Sequence, residues 1–203
     1  MKAYYLFKGL RRLFQKISEI FCTFWTYILF WGNCVSYQKF QTSGIPYVSV
    51  AIGGKCTIGN HFRMLNGIIP TGSARRCVFF VDKGAVLEIG EHVGITQTAI
   101  VCMKKISIGN HVKIGGGVCI YDSDFHSLDP VLRMNDQTDF ANTVSKEVVI
   151  EDNVFIGGNS LILKGVTIGK NSIIGAGSVV TKSVPANQIW AGNPAKFVKT
   201  IDL

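Results

Sequence analysis

The chain has 203 residues, of which 47% are apolar and 17% charged, with a formal charge of +8. That length supports one substantial core plus a small accessory segment. The apolar content excludes a disordered chain, and no nucleic-acid-binding motif accompanies the positive charge.

Residues 1–46 carry Lys2, Lys8, Arg11, Arg12 and Lys16 with no acid before Glu19, followed by an aromatic-rich run, Ile20–Trp31. The segment is expected to be helical. Its apolar stretch is too short to span a bilayer comfortably, and Glu19, Thr23, Thr26 and Asn33 dilute it. No small-x-small site follows, which argues against a cleaved leader. Packing on the rest of the molecule or its oligomer, and lying on a membrane surface, both remain open.

From residue 47 to 184 a large aliphatic residue recurs every six positions. Ile52, Ile58 and Met64 lead to Ile89, Ile95 and Val101. After a shift of one come Ile108, Ile114 and Ile120, then Ile150, Ile156, Ile162, Ile168, Ile174 and Val180. Two places before most of them stands a small or medium residue, such as Val93, Ala99, Val112, Val154, Ser160 or Ser172. Side chains two apart on a strand share a face, so each hexad predicts a short strand with an inward pair, then a corner. Frequent Gly (22) and scarce Pro (5) suit strands and tight turns. Three hexads close a triangular coil, and stacked coils give an all-β solenoid, a parallel β-helix. The repeat itself leaves the handedness open.

Two segments break the frame. Residues 65–88 read as a looser coil or excursion holding Arg75, Arg76 and a strand-like run, Cys77–Val81. Residues 121–149 are polar, and the frame resumes in phase after them, so they are expected to project as a loop. Long loops on rigid scaffolds are usually functional or disordered. Residues 185–203, with Pro185, Pro194 and Phe197, read as a short cap over the last coil. The six cysteines show no CxxC spacing and are expected to be reduced, small core residues; no metal site is expected.

His61, His92 and His111 share one repeat position with Asn153 and Asn171, expected on the outer corner. His126 lies outside the repeat, in Tyr121-Asp122-Ser123-Asp124-Phe125-His126. A histidine can serve as a base near neutral pH, and a nearby carboxylate can orient it. Asp122 and Asp124 are the candidates for that second role.

The hexads, the DSDFH loop opening, KGVTIGKNSIIGAGSVVTK and the closing AGNPAKFVK resemble the hexapeptide-repeat acetyltransferases over roughly residues 50–200. The similarity is to the galactoside and maltose O-acetyltransferases and to surface-polysaccharide O-acetyltransferases. The N-terminal segment resembles only the polysaccharide-modifying branch. The resemblance implies a left-handed coil, a homotrimer, and acetyl-CoA bound between subunits, with His126 as catalytic base. It implies coenzyme contacts at Gly158 and Ala176 for the pantetheine arm, and at Thr181, Lys182 and Lys196 toward the nucleotide. Lys196 stands where relatives often carry Arg. Arg133 is a candidate for acceptor contact.

The expected function is therefore transfer of an acetyl group to a hydroxyl of a sugar or glycan, in the cytoplasm or on the inner face of the membrane. Three rivals remain: N-acetylation of an amino sugar or xenobiotic, a zinc site built from the corner histidines, and a non-catalytic scaffold.

Overall fold

A computed structural model describes residues 2–67 and 75–202. One long helix, α1 (Lys2–Gly32), leads into the coils. The first coil is β1 (Ser36–Tyr37), β2 (Phe40–Ser43) and β3 (Tyr47–Val50). The second is β4 (Lys55–Ile58), β5 (Phe62–Leu65) and β6 (Val78–Val81). The third is β7 (Val86–Ile89), β8 (Gly94–Thr96) and β9 (Ala99–Cys102), and the fourth β10 (Lys105–Ile108), β11 (Lys113–Ile114) and β12 (Cys119–Tyr121). A projecting loop holds α2 (Asp136–Ala141). The fifth coil is β13 (Val148–Ile150), β14 (Phe155–Ile156) and β15 (Leu161–Ile162), and the sixth β16 (Thr167–Ile168), β17 (Ile173–Ile174) and β18 (Val179–Val180). β19 (Gln188–Ala191) and β20 (Lys196–Thr200) close the chain.

Through the first five coils each strand pairs in parallel with the strand three places on, so the coils stack into three sheets, one per face. The register puts equivalent hexad residues on top of one another: Ile89 beside Ile108, Ile108 beside Ile150, and Ile150 beside Ile168. All of these are buried in one continuous apolar core. Corners require close stacking. A Cβ on Gly115 would lie 2.6 Å from the Gly158 amide nitrogen, and one on Gly157 would lie 2.5 Å from that of Ala176. Those glycines are therefore required by coil stacking alone.

Several expectations need correction. The β-helix starts already at Ser36, because β1 and β2 pair with β4 and β5 inside the segment assigned to the N-terminus. Ile52 is not an inward residue but 96% exposed. The chain turns there, with the Gly54 amide on the Ala51 carbonyl, and Ile52 sits at the tip. Ala99 and Val101 face outward, while Ile100 and Cys102 are buried. Ile100 pairs with Ile120 while Ile95 pairs with Ile114, so this corner is one residue shorter than the one above it. The lost residue is recovered, with one more, at the next corner. The run Cys77–Val81 is a regular part of the second coil, with β6 bonded to β3 and β9. Residues 68–74 of the expected excursion lie outside the described residues.

The six cysteines are free thiols. His61, His92 and His111 stack on the outer corner at 4.6 and 4.8 Å between rings, each at φ near the left-handed region (57°, 57° and 58°). Asn153, Asn171 and Asn187 continue the same column at φ 60°, 62° and 59°. Asn tolerates that conformation best, and histidine is also enriched there. Parallel stacked rings do not converge on a common point, and no group of metal-binding side chains occurs among the described residues.

Both ends of the solenoid are covered. At the start, Phe30 of α1 packs against Phe40, Tyr37 and Phe79 with ring centroids 5.0, 5.5 and 6.4 Å away. At the end, β19 pairs parallel with β17 and β20 folds back antiparallel on β19.

Candidate active site

The loop leaves the fourth coil directly after β12 and is built on a short stem. Ser123 bridges Ser145 in antiparallel fashion, and the Lys146 amide donates to the Asp122 carbonyl at 2.8 Å. The Asp122 side chain is fully buried beneath this stem. Its carboxylate accepts from the amides of Met103, Lys104 and Lys105 at 2.7, 2.8 and 2.7 Å. Three amides on one carboxylate fix the corner from which the loop springs. Asp124 pairs with Lys164 at 2.8 Å, tying the stem to the fifth coil.

Neither carboxylate orients His126. That role falls to Asp139 of α2, whose Oδ2 lies 2.7 Å from His126 Nδ1. Its other oxygen accepts from the Ser127 amide, so one carboxylate grips two consecutive residues. The expected partners are turned elsewhere: three backbone amides occupy Asp122, and Asp124 faces Lys164 with one oxygen while its other oxygen is buried and meets no partner among the described residues, the ring included. Asp139 is delivered by a helix whose N-cap, Asn135, accepts from the Gln137 amide at 2.9 Å. Arg133 donates to the Ser127 carbonyl at 2.8 Å, so part of its guanidinium holds the loop backbone. Thr138 closes the turn on the Leu132 carbonyl at 2.6 Å.

Phe125 sits at φ 65°, a conformation that bulky residues rarely adopt. Its ring meets Tyr121 edge-on at 5.2 Å, which anchors the unusual turn just before His126. The result is an imidazole on a stiff support with 69% of its side chain exposed, against 12% for Asp139. A carboxylate on Nδ1 fixes the tautomer with the proton on that nitrogen, which leaves Nε2 as the basic atom. The hydrogen bond from His126, then the Ser127 amide, holds the Asp139 carboxyl below the usual carboxylate range.

This arrangement makes Asp139 a positioning residue with a distinctive prediction. Asparagine offers one acceptor oxygen where Asp139 uses two. Whichever way it turns, its NH2 faces either the Ser127 amide or Nδ1, and the latter would move the ring proton to Nε2. Asp139→Asn should lower turnover by about 10²-fold or more, with coenzyme affinity unchanged. Steady-state kinetics beside calorimetry check this; wild-type turnover would show that the ring needs no orienting carboxylate.

The other expected site residues fall on the last coils. Gly158 and Ala176 occupy one corner on successive coils, where the Gly177 amide donates to the Gly158 carbonyl at 2.9 Å. Among the described residues, the amides of Gly158 and Ala176 themselves donate to no protein acceptor. Lys196 opens β20 opposite Ala191, near the end of this same corner column. Thr181 and Lys182 lie beyond β18, at the other end of that strand, and are exposed. Burial pushes the thiols of Cys56, Cys77 and Cys102 up to about 12, so none of them supplies a thiolate at neutral pH. A groove of about 810 Å3 between α1 and strands β2 and β5, lined by Phe24, Tyr27, Arg63 and Met64 among others, contains none of these residues.

The model of the "Hexapeptide repeat of succinyl-transferase" family matches residues 147–182. A putative acetyltransferase of Dictyostelium discoideum is 43% identical over 124 residues, 60% of this chain and 61% of that protein. The chain thus spans less than two thirds of that relative's length. The putative lipopolysaccharide biosynthesis O-acetyl transferase WbbJ of Escherichia coli is 31% identical over 149 residues, 72% of each chain. The crystal structure of the hexapeptide-repeat containing acetyltransferase VCA0836 of Vibrio cholerae superposes with a TM-score of 0.57 at 34% identity, covering 71% of this chain and 73% of that one. A second structure of that Vibrio protein, complexed with acetyl coenzyme A, superposes with a TM-score of 0.51 at 26% identity, covering 82% and 67%.

Proposed function

The chain belongs to the hexapeptide-repeat acetyltransferase family, and from that premise we propose that it moves an acetyl group from acetyl-CoA to a hydroxyl of a sugar or glycan, with His126 as general base. The observation that carries this reading is the hydrogen bond between His126 Nδ1 and Asp139, which leaves a basic Nε2 on an exposed ring. The acceptor hydroxyl gives its proton to Nε2 as its oxygen attacks the thioester carbonyl. The new C–O bond forms, the tetrahedral intermediate collapses, and the C–S bond breaks. The departing thiolate then recovers the proton from the imidazolium. Atoms balance with no covalent enzyme intermediate.

The coenzyme is assigned to the corner of Gly158 and Ala176, where two unbonded amides on adjacent coils suit the amide carbonyls of a pantetheine arm. Lys182 and Lys196 supply positive charge for its phosphates, with Thr181 next to Lys182 in the chain. Arg133 keeps the remaining N–H groups of its guanidinium for the acceptor. The acetyl-CoA complex of the Vibrio relative supports the donor, and the lipopolysaccharide O-acetyl transferase among the relatives supports a glycan hydroxyl.

A homotrimer of left-handed coils completes the reading. The sheet holding β6, β9, β12, β15 and β18 turns Val78, Phe80, Val101, Cys119, Leu161 and Val179 outward. The sheet of β4, β7 and β10 turns out Lys55, Thr57, Glu88, Lys105 and Ser107, with Val86 the one apolar residue among them. A face so apolar suits burial between copies.

The test is a thiol-release assay with acetyl-CoA and matched panels of hydroxyl sugars and amino sugars. Turnover on hydroxyl acceptors is expected. Turnover confined to amines would transfer the assignment to N-acetylation, and absence of coenzyme binding would leave only a scaffold.

A further inference from the structure

Helix α1 uses one face to hold the solenoid and leaves a different one bare. Cys22, Thr26 and Phe30, spaced four apart, are buried. The Thr26 hydroxyl returns to the Cys22 carbonyl at 2.7 Å, so even the polar member of this face is satisfied. At 100° per residue, the opposite side carries Leu10, Phe14, Ile17, Phe21, Phe24 and Ile28. All six are exposed. The stripe therefore is not what fastens the helix to the coils.

The charge pattern says what covers it. Arg11 and Lys16 lie on either side of the stripe, Lys8 and Arg12 lie across the helix from it, and no acid precedes Glu19. A second copy of the helix would carry the same uncompensated positive charge, whereas an anionic surface would neutralise it. The helix cannot cross a bilayer, since no helix among the described residues is long and apolar enough to do so. We propose that α1 lies along the surface of an anionic phospholipid bilayer, its apolar stripe at the acyl boundary, Arg11 and Lys16 reaching the headgroups from either side, and Lys8 and Arg12 adding to the positive charge of its outer face. Such helices combine a strong amphipathic division with lysine and arginine on the polar face and aromatic or leucine residues on the other. This surface is independent of the acetyl-transfer reading.

Trp25 and Trp31 lie on the exposed side at 42% and 79% exposure and serve as built-in reporters. The experiment is flotation of the full chain with vesicles of phosphatidylcholine alone, or of phosphatidylcholine mixed with phosphatidylglycerol. Binding to the mixed vesicles is expected, with quenching of tryptophan fluorescence by brominated acyl chains. Arg11→Glu combined with Arg12→Glu should weaken binding at least about tenfold, since each basic residue near an anionic surface adds to affinity. Phe14→Ser combined with Ile17→Ser should abolish it. Both double variants should keep the wild-type melting point and oligomeric state, because none of the four side chains is buried. Failure to bind mixed vesicles, or binding indifferent to both variants, overturns the proposal. Dissociation of the oligomer by Phe14→Ser with Ile17→Ser also overturns it, because the stripe would then belong to a second copy.

Discussion

Replacing His126 with alanine should lower kcat by about 10²–10⁴-fold, the usual contribution of a positioned general base. Affinity for coenzyme A should stay at its wild-type value. The separation of the two effects follows from where the residues lie. His126 belongs to the loop inserted after β12, while Gly158, Ala176 and Lys196 belong to the last two coils and the closing strand. No hydrogen bond joins the ring to those residues; its partner is Asp139 within the same loop. Removing the ring therefore leaves the proposed coenzyme slot as it was. Turnover by thiol release and affinity by calorimetry read the two quantities separately, and full activity in the variant would remove His126 from the mechanism.

The Asp139 carboxyl adds a pH signature to the same experiment. Its folded-state value is depressed, first by the bond to His126 and then by the Ser127 amide. A depressed carboxyl contributes its hold fully above the ordinary carboxylate value of about 4, and loses it only as pH falls through the lowered value. The grip on the ring is thus complete throughout the neutral range. Asp139 therefore stays ionised on mild acidification, and a loss of rate there does not come from its carboxyl.

The solenoid was legible because its signal is periodic twice over: six residues per corner, and alternation within each strand. Ile108, Ile150 and Ile168 announced their shared column before any register was known. What periodicity could not carry was a change in corner length. The corner between Ile95 and Ile100 is one residue short, and the next is longer, so the frame recovers with a net shift of one by Ile108. Counting in sixes then picked Val101 in place of its buried neighbours Ile100 and Cys102.

The site shows the same division. His126 stands out because it breaks the repeat, but its partner is not among its sequence neighbours. Asp122 and Asp124 were closer in the chain, and both turned out to secure the stem of the loop. Asp139, thirteen residues on, is brought back by a short helix. The sequence signal for that helix was Asn135, an N-cap ahead of Asp136-Gln137-Thr138-Asp139, within a stretch that otherwise reads as polar loop.

Phe30→Ala should cost about 3–5 kcal/mol of unfolding free energy, among the largest losses a single core truncation produces. A solenoid has two open ends, and here the first is plugged by aromatic rings. Phe30 is fully buried and touches Phe40 of the first coil and Phe79 of the second. Its carbonyl also accepts the Val35 amide at 2.9 Å, so the ring is set where the helix hands the chain to β1. Truncation leaves a cavity that the stiff coils beneath cannot collapse to fill. Trp31, next in sequence, is the matched control: it is 79% exposed, and Trp31→Ala should change stability by no more than about 0.5 kcal/mol. Urea denaturation of the two variants decides the matter, and equal midpoints would show that α1 contributes no plug. The contrast also separates the two faces of the helix. A side chain that seals the first coil must lower the midpoint without touching vesicle binding, while one on the bare stripe must do the reverse.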